Sequence, residues 1–117
     1  MTPSAPEASA DAAEELLLAT LRGAPGGALF ATELAAQARA AGFPADAYEP
    51  TLAALERDGR ALVAPHTPPD VHLRGTDLRV AAAVEPGSPD AVERARVAAE
   101  ACWDDFVRAF LASHRCG

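Results

Sequence analysis

Residues 42–63 read Gly42-Phe-Pro-Ala-Asp-Ala-Tyr48-Glu-Pro-Thr-Leu52-Ala-Ala-Leu55-Glu-Arg57-Asp-Gly59-Arg60-Ala-Leu-Val63, and the order of signals inside this stretch decides the fold. Tyr48, Leu52 and Leu55 recur at spacings of four and three, the period of a helix that buries one face. Gly59 stops that helix, since glycine alone enters the left-handed backbone region without a steric penalty. From Arg60 the period becomes strand-like. At the front, Asp46 and Glu49 have capping-box spacing, and Pro50 is tolerated only in or beside a first turn, so the helix begins at Ala47 or at Pro50 itself.

Upstream, Ala13, Leu16, Leu17, Thr20 and Leu21 recur at helical spacing behind Asp11, Glu14 and Glu15, acids placed where a helix dipole favours them. This predicts a first helix from Asp11 to Gly23. Residues 1–10 contain two prolines and, after Met1, no sizeable apolar side chain, which predicts a disordered tail. After the Gly23–Gly27 turn, Leu29 and Phe30 form a short extended piece, and Thr32 is placed to cap a second helix, Glu33 to Ala41.

Downstream, Ala61 to Ala64, a proline-rich tip, Val71 to Leu73 and the alternation Leu78, Val80, Ala82, Val84 predict a hairpin. Ser88, Pro89 and Asp90 then predict the start of a fourth helix. Its stripe is Val92, Ala95, Ala99, Cys102, Trp103, Phe106 and Phe110, while Val107 and Leu111 extend the apolar surface to a second face. Such a helix must bury more than one side. One side is expected to pack on the three-helix core. The other, with Trp103, Phe106, Val107, Phe110 and Leu111 as candidate interface residues, predicts an isologous homodimer contact.

Helix, helix, helix, hairpin, helix is the order of a winged helix-turn-helix domain. Leu52-x-x-Leu55-Glu56-x-x-Gly59 leading into a strand resembles the end of the recognition helix in winged-helix regulators of the PadR and MarR type. The resemblance spans residues 11–84 and implies a mainly helical fold with a small β-hairpin. A winged-helix domain over 11–86 is then followed by a dimerisation helix over 87–117. It further implies a transcription regulator whose third helix and wing contact duplex DNA. By position, Arg57, Arg60, Arg74 and Arg79 are the candidate DNA contacts.

Charge complicates that expectation. Phosphate neutralisation usually dominates DNA affinity, yet the formal net charge is −7. From Leu29 to Val84 five arginines face seven acids, a local net of −2, while the hairpin itself is slightly cationic. Placed on a wheel at about 100° per residue, the outward face of the third helix offers Asp46, Pro50, Ala53 and Arg57. The residues therefore leave open a second function, a winged-helix protein-interaction module that does not bind DNA. A third class is a ligand sensor with a pocket between dimer helices.

Composition limits the remaining options. Of 58 apolar residues 30 are alanine, so the core must be built from few large side chains and close helix packing. There is no lysine, isoleucine or asparagine, and an all-arginine cation set reflects coding bias rather than a binding task. No apolar run approaches the roughly 20 residues of a membrane helix, which predicts a cytoplasmic protein without a membrane partner. His66, Asp70, His72 and Asp77 match no recognised metal-site spacing, and His114 with Cys116 lacks further ligands, so neither metal nor cofactor is expected. Cys102 is expected to be a small packed hydrophobe. No phosphate-cradling loop and no nucleophile with an identifiable base occurs, so the chain is expected not to be an enzyme.

Overall fold

A computed structural model of the chain describes the backbone of residues 5–73 and 78–115 and the side chains of residues 12–73 and 78–113. Its elements in chain order are α1 (Ala5–Gly23), β1 (Ala28–Phe30), α2 (Ala31–Ala40), α3 (Tyr48–Arg57), β2 (Ala61–Pro65), β3 (Arg79–Ala83) and α4 (Ala91–Arg115). The architecture is mainly helical with one three-stranded antiparallel sheet, order β1-β3-β2. β3 is central, with Ala82 opposite Ala28 and Leu62, and Ala81 opposite Leu29 and Val63.

The sheet separates two apolar layers, and alternation along each strand explains why. Ala61 and Ala81, with the half-buried Leu29, Val63 and Ala83, face α1, α2 and α3, where Leu17, Leu18, Leu21, Leu34, Leu52 and Leu55 are all but completely buried. Val80, Ala82 and Ala28, with Phe30, Leu62 and Ala64, face the opposite way and pack against Ala91, Ala95 and Ala99 of α4. The helix expected on the three-helix core therefore lies on the far face of the sheet. A flat alanine seam brings it there, because small side chains let helix and sheet approach closely and a sheet apolar on both faces needs a cover on each.

Two matching caps hold α3 in place. At the end of α2, the Gly42 and Phe43 amides donate to the Arg39 and Ala38 carbonyls at 3.0 and 2.9 Å. At the end of α3, the Gly59 and Arg60 amides donate to the Glu56 and Leu55 carbonyls at 3.1 and 2.9 Å. Both are Schellman turns with a glycine at positive φ, 97° at Gly42 and 75° at Gly59. The buried Tyr48 hydroxyl then donates to the Ala31 carbonyl at 2.7 Å, tying the start of α3 to the start of α2.

Several boundaries differ from the sequence expectations for physical reasons. The helix begins at Ala5 rather than Asp11, so residues 5–10 of the expected tail are helical; three alanines favour this, and Pro6 sits in the first turn, where its missing amide costs nothing. Residues 1–4 lie outside the described residues. α2 starts at Ala31 with Phe30 at its cap position and no side-chain cap, leaving Thr32 inside the helix. Phe30 belongs to β1, which pairs with β3, so the short extended piece is a third strand.

Asp46 sits in a 3-10 turn (Ala45–Ala47) and makes no cap with Glu49. Val71–Leu73 is also a 3-10 turn, not strand; Pro68 and Pro69 supply no ladder donors, and the Asp70 carboxylate instead accepts the His72 amide at 2.8 Å. α4 begins at Ala91, after Ser88 donates its hydroxyl to Asp90 at 2.6 Å. Val92 is 60% exposed and lies off the stripe, which instead runs Ala91, Ala95, Ala99. Among the described residues no helix is long and apolar enough to cross a membrane.

Candidate interaction surfaces

The four arginines singled out from the sequence occupy different environments. Arg57 ends α3 with its guanidinium 74% exposed and 3.7 Å from the Asp58 carboxylate. Arg60, at the turn into β2, reaches back to α1. It donates to Glu14 at 2.9 Å and to Glu15 at 2.5 Å, and the bond to Glu15, followed by the charges of both carboxylates, pushes its pKa up further. Arg79, the first residue of β3, donates through both terminal nitrogens to the Glu49 carboxylate, at 3.3 and 2.7 Å. Arg74 lies outside the described residues.

Two of these cations are thus held in forks by carboxylates from α1 and α3. Sequence spacing could not show this, because Arg60 and Glu14 are 46 residues apart and Arg79 and Glu49 are 30 apart. What remains outward on α3 is Glu49, Pro50, Ala53, Glu56 and Arg57, flanked by the exposed Asp46 and Asp58. A phosphate brought to Arg79 would lie beside the Glu49 carboxylate that Arg79 already engages. Fixed donors facing outward are what a phosphate site requires, and on this surface Arg57 is the one described outward donor beside four exposed carboxylates, Asp46, Glu49, Glu56 and Asp58.

The aromatic candidates on α4 divide into two groups. Trp103 and Phe106 are half-buried against the sheet, with ring centroids 5.9 and 5.0 Å from Phe30 and 5.4 Å from each other. His66 stacks on Trp103 at 4.7 Å, which gives that histidine a packing role. Both rings thus make aromatic contacts within the chain while each keeps part of its surface exposed. Phe110 touches Phe106 at 6.0 Å, Val107 is half-buried, and Leu111 is 51% exposed. Beyond Phe106 the helix continues for nine residues, about 13 Å at 1.5 Å per residue.

Cys102 lies at the sheet edge among Leu29, Phe30 and Phe106, and burial, then the nearby Asp105 charge, pushes its thiol above the ordinary range. A disfavoured thiolate is a poor nucleophile, so the geometry gives Cys102 a packing position.

An apolar groove of about 540 Å³ runs between α1 and the α2–α3 connection. Ala12, Ala13 and Leu16 line one wall, and Phe43, Pro44, Ala47 and Pro50 line the other, with no charged side chain in either. The sequence gives little sign of it. Alanine, glycine and proline at these positions read as ordinary helix and turn residues, and the concavity arises only when α1 crosses the α3 entrance.

Compared with protein-family models, with curated proteins and with solved structures, the chain gives no match.

Proposed function

We propose that the chain is a winged-helix module that works through protein contact and does not read duplex DNA. The element order follows the helix, helix, helix, hairpin, helix series of the resemblance, and Leu52, Leu55 and Gly59 hold the third helix as that resemblance implies. The observation that carries the functional choice is the pairing of Arg60 with Glu14 and Glu15 and of Arg79 with Glu49. Pairs that keep contact with solvent add little to stability, about 0–1 kcal/mol each, but these, with Glu14 the most buried of the partners, offset the charge that a phosphate contact would use. The contact surface is then the C-terminal part of α4, where Val107, Phe110 and Leu111 extend past the sheet, and the first partner in this account is a second copy.

DNA contact by the third helix and wing has one observation in its favour, the exposed guanidinium of Arg57. Fluorescence anisotropy of a labelled duplex, titrated with the chain at low ionic strength where phosphate contacts are strongest, separates the two readings. The protein-contact reading expects no binding. Binding that weakens as salt is raised and falls in Arg57→Ala would overturn it.

A further inference from the structure

We propose that the outer edge of β2 pairs antiparallel with β2 of a second copy of this chain, joining the two sheets into one. β2 is an edge strand, bonded to β3 on one side only. The register tells which of its backbone groups are left over. The Val84 amide donates to the Arg60 carbonyl at 3.0 Å, so with Ala61 opposite Ala83 the hydrogen-bonded pairs are Arg60 with Val84, Leu62 with Ala82 and Ala64 with Val80. Ala61, Val63 and Pro65 turn their backbone groups the other way, and among the described residues no hydrogen bond uses them.

Open ladder groups are a template for another strand, and an edge that stays single is usually guarded by charged side chains, prolines or bulges. Residues 61–65, Ala-Leu-Val-Ala-Pro, carry no charge, and Pro65 stands only at the end. Leu62 and Ala64 on one face and Val63 on the other are each half-buried, so a strand alongside would complete their cover.

A second β2 suits this edge because the edge is self-complementary. In a two-fold pairing centred on Val63, Val63 donates to and accepts from the partner's Val63, and Ala61 donates to the carbonyl of the partner's Pro65. The amide that proline lacks is missed only at the strand end, where the Ala61 carbonyl stays open to water. Leu62 then lies opposite the partner's Ala64, large against small, and valine lies opposite valine on the other face. Strands this short pair weakly by themselves, so the ladder rests on the reading of the α4 end as a contact surface and extends that surface along the sheet. The two adjoin: His66, next after β2, stacks on Trp103, and Leu111 follows about 12 Å along α4 at 1.5 Å per residue.

Amide hydrogen exchange followed by NMR on the intact chain tests the edge directly, with Leu111→Glu as the single-copy reference. In that variant the Leu62 and Ala64 amides are expected to be protected by β3, while the Val63 amide exchanges as an open one. In the parent, at a concentration where sedimentation velocity shows association, the Val63 amide is expected to become protected like its neighbours. Val63→Pro supplies a second arm, because it removes an outward donor and keeps every bond to β3. It is expected to sediment as one copy with unchanged circular dichroism, and if its helix content falls the exchange of the Val63 amide decides alone.

If Leu111→Glu dissociates the chain but the Val63 amide stays open in the associated parent, or a folded Val63→Pro stays associated, this proposal falls while the α4 contact surface stands. Protection of the Val63 amide in single-copy Leu111→Glu would mean that the chain covers its own edge, and the proposal falls too. A parent chain that is monomeric throughout, or one whose association Leu111→Glu leaves untouched, overturns the contact-surface reading together with it.

Discussion

The two faces of the sheet are built from different material. On the helix side, six leucines are buried to 1% exposure or less, and they close the space between α1, α2, α3 and the strands. On the α4 side the buried residues are five alanines and two valines, and bulk appears in half-buried side chains, Leu62 beside the seam and Phe30, Trp103 and Phe106 toward its end. The first face is closed by volume and the second by proximity. Both faces keep some large apolar side chains in partial contact with solvent, Leu16, Leu29 and Val63 on the first and Leu62, Phe30 and Trp103 on the second, but only on the second are aromatic rings among them.

This contrast can be broken at its strongest point. Leu55→Ala empties volume in the closed layer and is expected to destabilise the fold by about 2–5 kcal/mol, read as the shift in urea unfolding. On the alanine seam the sensitive direction is the opposite one. Ala95→Leu forces volume between α4 and β3 and is expected to cost about 1–3 kcal/mol, whereas a truncation has almost nothing to remove there. Should Ala95→Leu be neutral or stabilising, the seam is looser than described.

Smaller effects sharpen the comparison. Tyr48→Phe removes the hydroxyl that donates to the Ala31 carbonyl and is expected to cost about 1 kcal/mol, again by urea unfolding. At the start of α4, the Asp90 carboxyl is held below its ordinary range chiefly by the Ser88 hydroxyl, and that of Glu93 by a hydrogen bond from Arg96 and its charge. A lowered folded pKa means that the unfolded chain binds protons more readily. The contribution of these groups is therefore present above the unfolded pKa and is lost as the pH falls through the folded value. The urea midpoint is expected to drop slightly as the pH falls through the carboxylate range, and Asp90→Asn with Glu93→Gln should flatten that part of the drop.

Local periodicity carries much of the fold. Leu52, Leu55 and Gly59 suffice to place α3 and its exit, and the alternation through Val80, Ala82 and Val84 suffices for β3. The readings that changed concern partners distant in sequence. β1 is a strand only because β3 lies beside it, and three residues are too short to show a period. Val92 looks like stripe material because valine is apolar, yet the seam selects alanine for close approach. For the candidate site, the sequence places Arg60 and Arg79 on the wing but is silent on Glu14, Glu15 and Glu49 as their partners. The groove is invisible in sequence because it belongs to a crossing of helices rather than to any motif.

The most direct measurement is the mass of the intact chain in solution. Sedimentation velocity across a dilution series is expected to show self-association at tens of micromolar, reaching at least twice the 12.0 kDa of one copy. Leu111→Glu is expected to sediment as one copy with unchanged circular dichroism. A parent chain at 12.0 kDa at every concentration would contradict the account.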